Sequence, residues 1–336
     1  MIDLIKQKII DNISDHRDLK TSDLSVLKYC TPASGINPGG KVIFLIFKND
    51  ADNPLFCVKT VRKNNDSHVI INAYSNLLNL YGLVVNSGYE KMFPKPIFLS
   101  ENNQGIIFSV ETVCVGRKPS INDYKLIVDS YVKFQAYLVD AFGSVSIDAG
   151  HYFEKIISRL NLSELDNQMI KKYFQDNFYA SDKDICVVPQ HGDLTLDNIL
   201  IGNDEVKIFD CERFGLINIA GFDLFHFLQK RKVANFIGDN YEMFRDYFSS
   251  IGCKSELNPL LIFLYCLNEI ELKFIPLTGK IDFDFIVNNF EKRNPHDQDV
   301  KLLNDVMSKK KDIDESIIKE KFKLDVYKAI TVNDDV

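Results

Sequence analysis

With 336 residues, 46% of them hydrophobic and 26% charged, the chain is long enough for a sizeable core, or for two lobes, and has the makeup of an ordinary folded globular protein. Its net charge of -7 argues against nonspecific nucleic-acid binding, whose affinity rests on a basic face, though not against a smaller anionic ligand met by a few local cations. The cysteines at 30, 57, 114, 186, 211, 253 and 266 stand singly with no C-x-x-C pair, several inside apolar runs, which disfavours a zinc site and reads as reduced thiols of a cytoplasmic protein.

The opening MIDLIKQKIIDNI carries Ile2, Ile5, Ile9 and Ile13 at helical spacing and predicts an amphipathic helix within 1–20 rather than a signal peptide. Val26 to Cys30, Val42 to Phe47 and Leu55 to Thr60 then read as three short adjacent strands of an antiparallel sheet, with a Gly- and Pro-bearing loop at Pro32 to Gly40 between the first two. Ser67 opens a helix to Tyr81, with Ile70, Tyr74, Leu77, Leu78 and Tyr81 on one face. Ile97 to Leu99 and Ile106 to Val110 form a second hairpin, and beyond Gly116 the pattern turns helical: Ile121 to Phe142, then about His151 to Phe178. A further helix begins at Gly221, and Leu257 to Phe274 is a strongly apolar one into which Glu269, Glu271 and Lys273 intrude. No apolar run approaches membrane-spanning length, the richest being Leu260 to Leu267. From Asn294 the chain is dense in charge, yet Ile317, Ile318, Phe322, Val326 and Ile330 predict a last helix packed on the body.

The most informative stretch is ICVVPQHGDLTLDNILIGNDEVKIFDCERFG, from Ile185 to Gly215. Two apolar runs joined by a Gly-Asn-Asp-Glu turn make a hairpin, which should carry Asp210 back beside the loop that holds His191, Asp193 and Asn198. Two carboxylates and an amide in one small volume are hard oxygen ligands of the kind Mg2+ takes when it also bridges to substrate phosphates. If Asn198 and Asp210 hold metal and phosphates, Asp193 is left to accept a proton from an attacking hydroxyl, or to orient it. That division of labour is phosphoryl transfer. His191 belongs to the same catalytic loop, as a hydrogen-bonded support rather than as the base.

His191-Gly192-Asp193-Leu194-Thr195-Leu196-Asp197-Asn198, followed by Ile208-Phe209-Asp210, resembles the catalytic and metal-binding segments of the aminoglycoside phosphotransferase and choline kinase family, small-molecule relatives of protein kinases. Gly192 stands where protein kinases carry arginine, and Leu196 where many family members have proline. The resemblance implies several roles. Lys59, in Phe56-Cys57-Val58-Lys59-Thr60, takes the place of the third-strand lysine that binds the nucleotide phosphates, and Ser34 and Gly35 lie in the loop that covers them. Glu111 to Val113 match the interlobe hinge and become candidate adenine contacts, and Asp223 matches an acid that supports the active-site loop. One element of the pattern is missing: the only acid between Lys59 and Glu90 is Asp66, so no helix glutamate holds Lys59.

Three residues near these motifs have plainer readings. His226, among Phe225, Phe227 and Leu228, is expected to be a satisfied core histidine, and Glu212 and Arg213 a local ion pair. Glu269 and Glu271 either hold a cationic substrate or lie on the solvated face of their helix.

Together these features predict an α+β, protein-kinase-like fold of two lobes: the helix of 1–20, a nucleotide-binding sheet lobe at 21–115 and a larger helical lobe at 116–336. The implied activity is transfer of a phosphoryl group from ATP, GTP not being excluded, with Mg2+, to a hydroxyl of a small molecule such as a sugar, amino sugar or amino alcohol. The alternative is a pseudokinase-like module that binds nucleotide and acts through a protein partner. Neither nucleic acid nor membrane is an expected partner.

Overall fold

The apolar stripe of the first helix finds its use in the sheet beside it. In the computed structural model, which describes residues 2–13, 19–30, 40–61, 67–101, 105–143, 145–178, 184–203, 205–229, 241–253, 258–272, 281–291 and 293, helix α1 (Ile2–Asn12) buries Ile5, Ile9 and Ile10. These meet alternate residues of β1 (Leu24–Cys30), β2 (Lys41–Lys48), β3 (Phe56–Val61) and β5 (Ile107–Thr112): Leu24, Val42, Phe44, Ile46, Phe56, Val58, Phe108 and Val110. With β4 (Pro96–Glu101) the strands form one antiparallel sheet in the order β1-β2-β3-β5-β4. Side chains of a strand alternate between faces, so the residues between those core positions point the other way. The registers Ile43↔Lys59, Lys59↔Ser109 and Cys57↔Glu111 therefore place Lys41, Lys59 and Glu111 together on the face opposite α1.

Helix α2 (Ser67–Val84) runs one turn beyond the expected end and buries Ile70, Leu77, Leu80 and Val84, while Leu78, expected on the inner face, is 52% exposed. Leu77, Leu80 and Val84 join the larger core formed by α3 (Tyr124–Phe142), α4 (Ala149–Ile157), α5 (Glu164–Phe178), α6 (Phe222–Gln229), α7 (Tyr241–Ser250), α8 (Pro259–Glu271) and α9 (Phe283–Glu291). Helix α8 is buried from Leu260 to Ile270, as a helix apolar on all sides must be. Among the described residues no helix is long and apolar enough to cross a membrane.

The single helix expected over His151 to Phe178 is two. A short strand, β6 (Val145–Asp148), pairs with β7 (Asp184–Val187), and Asp148 then caps α4 by accepting from His151 N at 2.8 Å. Ser163 Oγ accepts from Asp166 N at 3.2 Å to open α5 after Asn161 turns through a positive φ of 50°. The expected last helix beyond Asn294, together with Ser34, Gly35, Leu257 and Lys273, lies outside the described residues.

Candidate active site

The hairpin forms as its turn and apolar runs require. Strands β8 (Ile199–Ile201) and β9 (Val206–Ile208) pair Ile199 with Ile208 and Ile201 with Val206, and Phe209 N donates to Asn198 O at 3.0 Å, which brings Asp210 back beside Asn198. His191 ties the two ends together: its Nδ1 accepts from Asp193 N at 3.3 Å and its Nε2 lies 3.1 Å from Phe209 O. Both ring nitrogens of this buried histidine are thus spent on holding the loop against the end of β9.

Asp223, at the start of α6, is the platform on which that loop rests. Its Oδ1 accepts from Gly192 N at 2.9 Å, and its Oδ2 accepts from His191 N at 2.5 Å and from the Tyr131 hydroxyl. Burial pushes the Asp223 carboxyl up, against the pull of His191, Tyr131 and the loop amides. Gly192 is glycine for two reasons visible here. Its φ is +82°, and a Cβ on it would stand 2.8 Å from Arg213 Cβ and 2.9 Å from Arg213 O. The arginine that protein kinases carry at this position has no room.

Asp210 sits in the left-handed region, φ 61° and ψ 47°, which aspartate tolerates better than most non-glycine residues. Its Oδ1 lies 3.4 Å from Lys41 Nζ and 3.7 Å from Lys59 Nζ. Burial acts against the charged carboxyl, but Lys41 and then Lys59 outweigh it and pull Asp210 down to about 2. Asp193 is likewise held below the usual carboxylate range: burial opposes this, and His226 and Arg213 prevail.

Lys59 has the partner that the sequence seemed to deny it. Glu111 Oε1 lies 2.8 Å from Lys59 Nζ, with side chains only 7% and 12% exposed. Burial works against the ammonium, yet Glu111 and Asp210 hold it well above the ordinary lysine value. Glu111, expected among the adenine contacts, is instead inside the sheet, opposite Cys57 on one side and Pro96 on the other. Strand β5 ends at Thr112, and Val113, also expected to contact adenine, lies just past it. Gly116 then packs so closely on β8 that a Cβ there would stand 2.6 Å from Ile201 O, and Arg117 exchanges two 2.9 Å backbone hydrogen bonds with Ile201. An open hollow of about 650 Å3 beyond β5 is lined by Val115, Arg117, Ile201 and Lys207 and by none of the expected site residues.

Lys41 was not singled out from the sequence, yet it reaches Asp210 and also pairs with Glu212, which was expected to pair with Arg213. Helix α2 contributes Asn76, whose Nδ2 donates to Glu212 O at 2.6 Å. His226 is fully buried, as a core histidine should be, but its ring lies between Glu269 and Asp193. Glu269, also buried, thus belongs neither to a solvated face nor to an open cleft, and Glu271 pairs with Arg159 at 2.9 Å.

The site can be compared with known proteins. No family model matches the sequence, and no curated protein matches it either. Among solved structures, an apo thermostable mutant of aminoglycoside phosphotransferase APH(4)-Ia is 8% identical, with a TM-score of 0.50 over 85% of this chain and 96% of that one. The chain has a kinase-like fold. APH(2")-IIia in its GDP and kanamycin complex gives 14% identity, coverage of 86% and 96%, and a TM-score of 0.49. A choline kinase from Cryptosporidium parvum Iowa II gives 12%, 91% and 96%, and 0.47. Within the kinase-like fold, the departure noted in the sequence is now specific: α2 supplies no glutamate to Lys59, and the neighbouring strand β5 does.

Proposed function

We propose that the chain transfers the γ-phosphoryl group of ATP to a hydroxyl of a small molecule such as a sugar, amino sugar or amino alcohol. The observation that supports this most directly is Asp210 set against Lys41 and Lys59, with His191 tying the loop that carries Asp193 to Phe209, the residue before Asp210. In this reading Lys59, steadied by Glu111, and Lys41 bind the phosphates, helped by the backbone of Ser34 and Gly35, while the hinge at Val113 reads the base. The donors also suit Mg2+. Asn198 commits its Nδ2 to Asp193 O at 2.9 Å, which leaves Oδ1 and the Asp210 carboxylate as hard oxygen ligands. Among the described residues no cluster of three His, Cys, Asp or Glu side chains could hold a metal, so the remaining ligands would be phosphate and water, the usual pattern for Mg2+. When bound, the ion would neutralise charge on the phosphates.

In the transfer the acceptor oxygen bonds to the γ-phosphorus, the bridging bond to ADP breaks, and the hydroxyl proton leaves by way of Asp193. Positioning and charge supply most of the rate in such reactions. A small acceptor is favoured by Gly192 and by the short run from Asp210 to Asp223, which leaves little chain for a peptide platform. The alternative of a nucleotide-binding module without turnover drew on an unpartnered Lys59, and Glu111 removes that argument. The test is a thermal-shift titration with ATP and with GTP, each with Mg2+, followed by transfer assays over a panel of hydroxyl acceptors. Stabilisation together with turnover supports the reading; stabilisation without turnover on any acceptor overturns it.

A further inference from the structure

Asp193 begins a row of side chains of alternating charge that is fully buried at its middle, at His226 and Glu269. His226 Nε2 lies 3.6 Å from Asp193 Oδ1, His226 Nδ1 lies 2.7 Å from Glu269 Oε1, and Glu269 Oε2 pairs with Arg293. The row crosses four parts of the chain: the catalytic loop, α6, α8 and the residue two beyond α9. Its placement follows from α6. Asp223 on the first turn holds the loop backbone, and His226, one helical turn on, falls on the same face and so meets the loop's reactive side chain.

Burial makes the charges interdependent. Glu269, only 2% exposed, is a buried carboxylate and needs cationic partners, a role open to His226 and filled by Arg293. The ring is hydrogen-bonded to Glu269 through Nδ1 at 2.7 Å and faces the Asp193 carboxylate through Nε2 at 3.6 Å, a contact of charge rather than of hydrogen bonding, and two carboxylates on opposite sides of one ring favour the imidazolium. The other groups nearby do not compete for it. Asp223 is bound to loop amides and Tyr131, His191 is spent on the loop, Arg213 acts on Asp193, and Phe222 stacks on the His226 ring with centroids 5.9 Å apart.

We propose that His226 is a positioning residue for Asp193: an imidazolium fixed by Glu269 and Arg293, it aims the carboxylate and keeps it charged, so that Asp193 steers the attacking hydroxyl. The inference rests on the phosphotransferase reading for its chemical meaning, though not for its geometry. The electrostatics run the same way. Burial opposes the imidazolium, but Asp193 and Glu269 raise it above its ordinary value, and both carboxyls are lowered, each against its own burial. The imidazolium is present at low pH and is lost as pH rises through that raised value.

The test follows the His226 ring by NMR through a pH titration, in the wild type and in Asp193→Asn and Glu269→Gln. Because His226 is fully buried, the conservative Glu269→Gln, which keeps an acceptor for Nδ1–H, is preferred to replacing the ring, and its melting curve checks that it folds. The expected result is a wild-type His226 that titrates above the ordinary 6.5 and moves down in both variants. In transfer assays Glu269→Gln should lower kcat by about tenfold or more, the scale for residues that orient an active-site group, with KM for ATP unchanged and an alkaline limb displaced to lower pH. A His226 that titrates at or below the ordinary value, or is indifferent to Asp193→Asn, overturns the proposal, as does an unshifted pH profile in Glu269→Gln. The ring titration is independent of turnover: a coupled His226 in a chain that phosphorylates nothing would support the pairing and count against the proposed function alone.

Discussion

Lys59 and Glu111 stand on neighbouring strands as diagonal neighbours, Lys59 opposite Ser109 and Glu111 opposite Cys57, and their charged ends meet at 2.8 Å. Diagonal partners across a sheet are roughly 7–8 Å apart at the backbone, within reach of two long side chains, so the register alone suffices to make the pair. The consequence is that the lysine which faces Asp210 is oriented by the sheet that carries it, and the position of α2 matters less.

Removal of one member of this pair should therefore be costly. Glu111→Ala leaves a buried ammonium facing Asp210 at 3.7 Å without its 2.8 Å partner, and should destabilise the chain by about 3 kcal/mol and weaken nucleotide binding. The double variant Lys59→Met, Glu111→Leu should recover most of the stability and none of the nucleotide affinity. Denaturant midpoints and ATP titrations of the two variants check this. Equal loss of stability in both would mean that the pair is not a coupled unit.

Gly192 offers a second, purely steric prediction. Gly192→Ala puts a Cβ 2.8 Å from Arg213 and forces an L side chain into a positive φ, for an expected loss of about 2 kcal/mol with local displacement of the loop at 191–198. Gly192→Arg, which restores the protein-kinase residue, should be worse. Unfolding midpoints equal to wild type would show that the loop has space it is not credited with.

The Asp223 platform can be tested by hydrogen exchange. Asp223→Asn keeps the volume but replaces one acceptor oxygen with a donor that faces loop amides, and a buried mismatch of that kind costs about 1–3 kcal/mol. Exchange should rise at His191 and Gly192 and remain unchanged in β2 and β3. Protection at the loop equal to wild type would remove Asp223 from the account.

A pH dependence of stability follows from His226 and Glu269. Glu269 is lowered from 4.5, so its contribution is present above that value and lost as pH falls through its folded value. His226 is raised from 6.5, so its contribution is present below 6.5 and lost as pH rises through its folded value. The stability difference between wild type and Glu269→Gln should accordingly peak between 4.5 and 6.5 and shrink on both sides. A difference that is flat with pH would mean that the two groups do not titrate together.

The sequence made some of this legible and not the rest, for reasons of range. The hairpin of β8 and β9 is local: two apolar runs and a Gly202-to-Glu205 turn settle which residues face one another, and the pairing of Ile199 with Ile208 follows. Lys59 could be placed on β3 by alternation. Its partner could not, because Glu111 meets Lys59 only once β5 inserts between β3 and β4, an order that short-range patterns do not encode. Lys41 was invisible for the same reason, and His226 looked like an ordinary core histidine because its aromatic neighbours are local while Glu269 and Asp193 are distant in the chain. The break between α4 and α5 is different. Ser163 followed three residues later by Asp166 is a helix-start signal that stood in the sequence unread.

Asp193→Asn, compared with wild type for both nucleotide binding and phosphoryl transfer, tests the central claim most directly. The expected result is a thermal shift with ATP and Mg2+ close to that of wild type, and transfer to the best acceptor reduced by about a hundredfold or more. Transfer at the wild-type rate in Asp193→Asn would contradict the account.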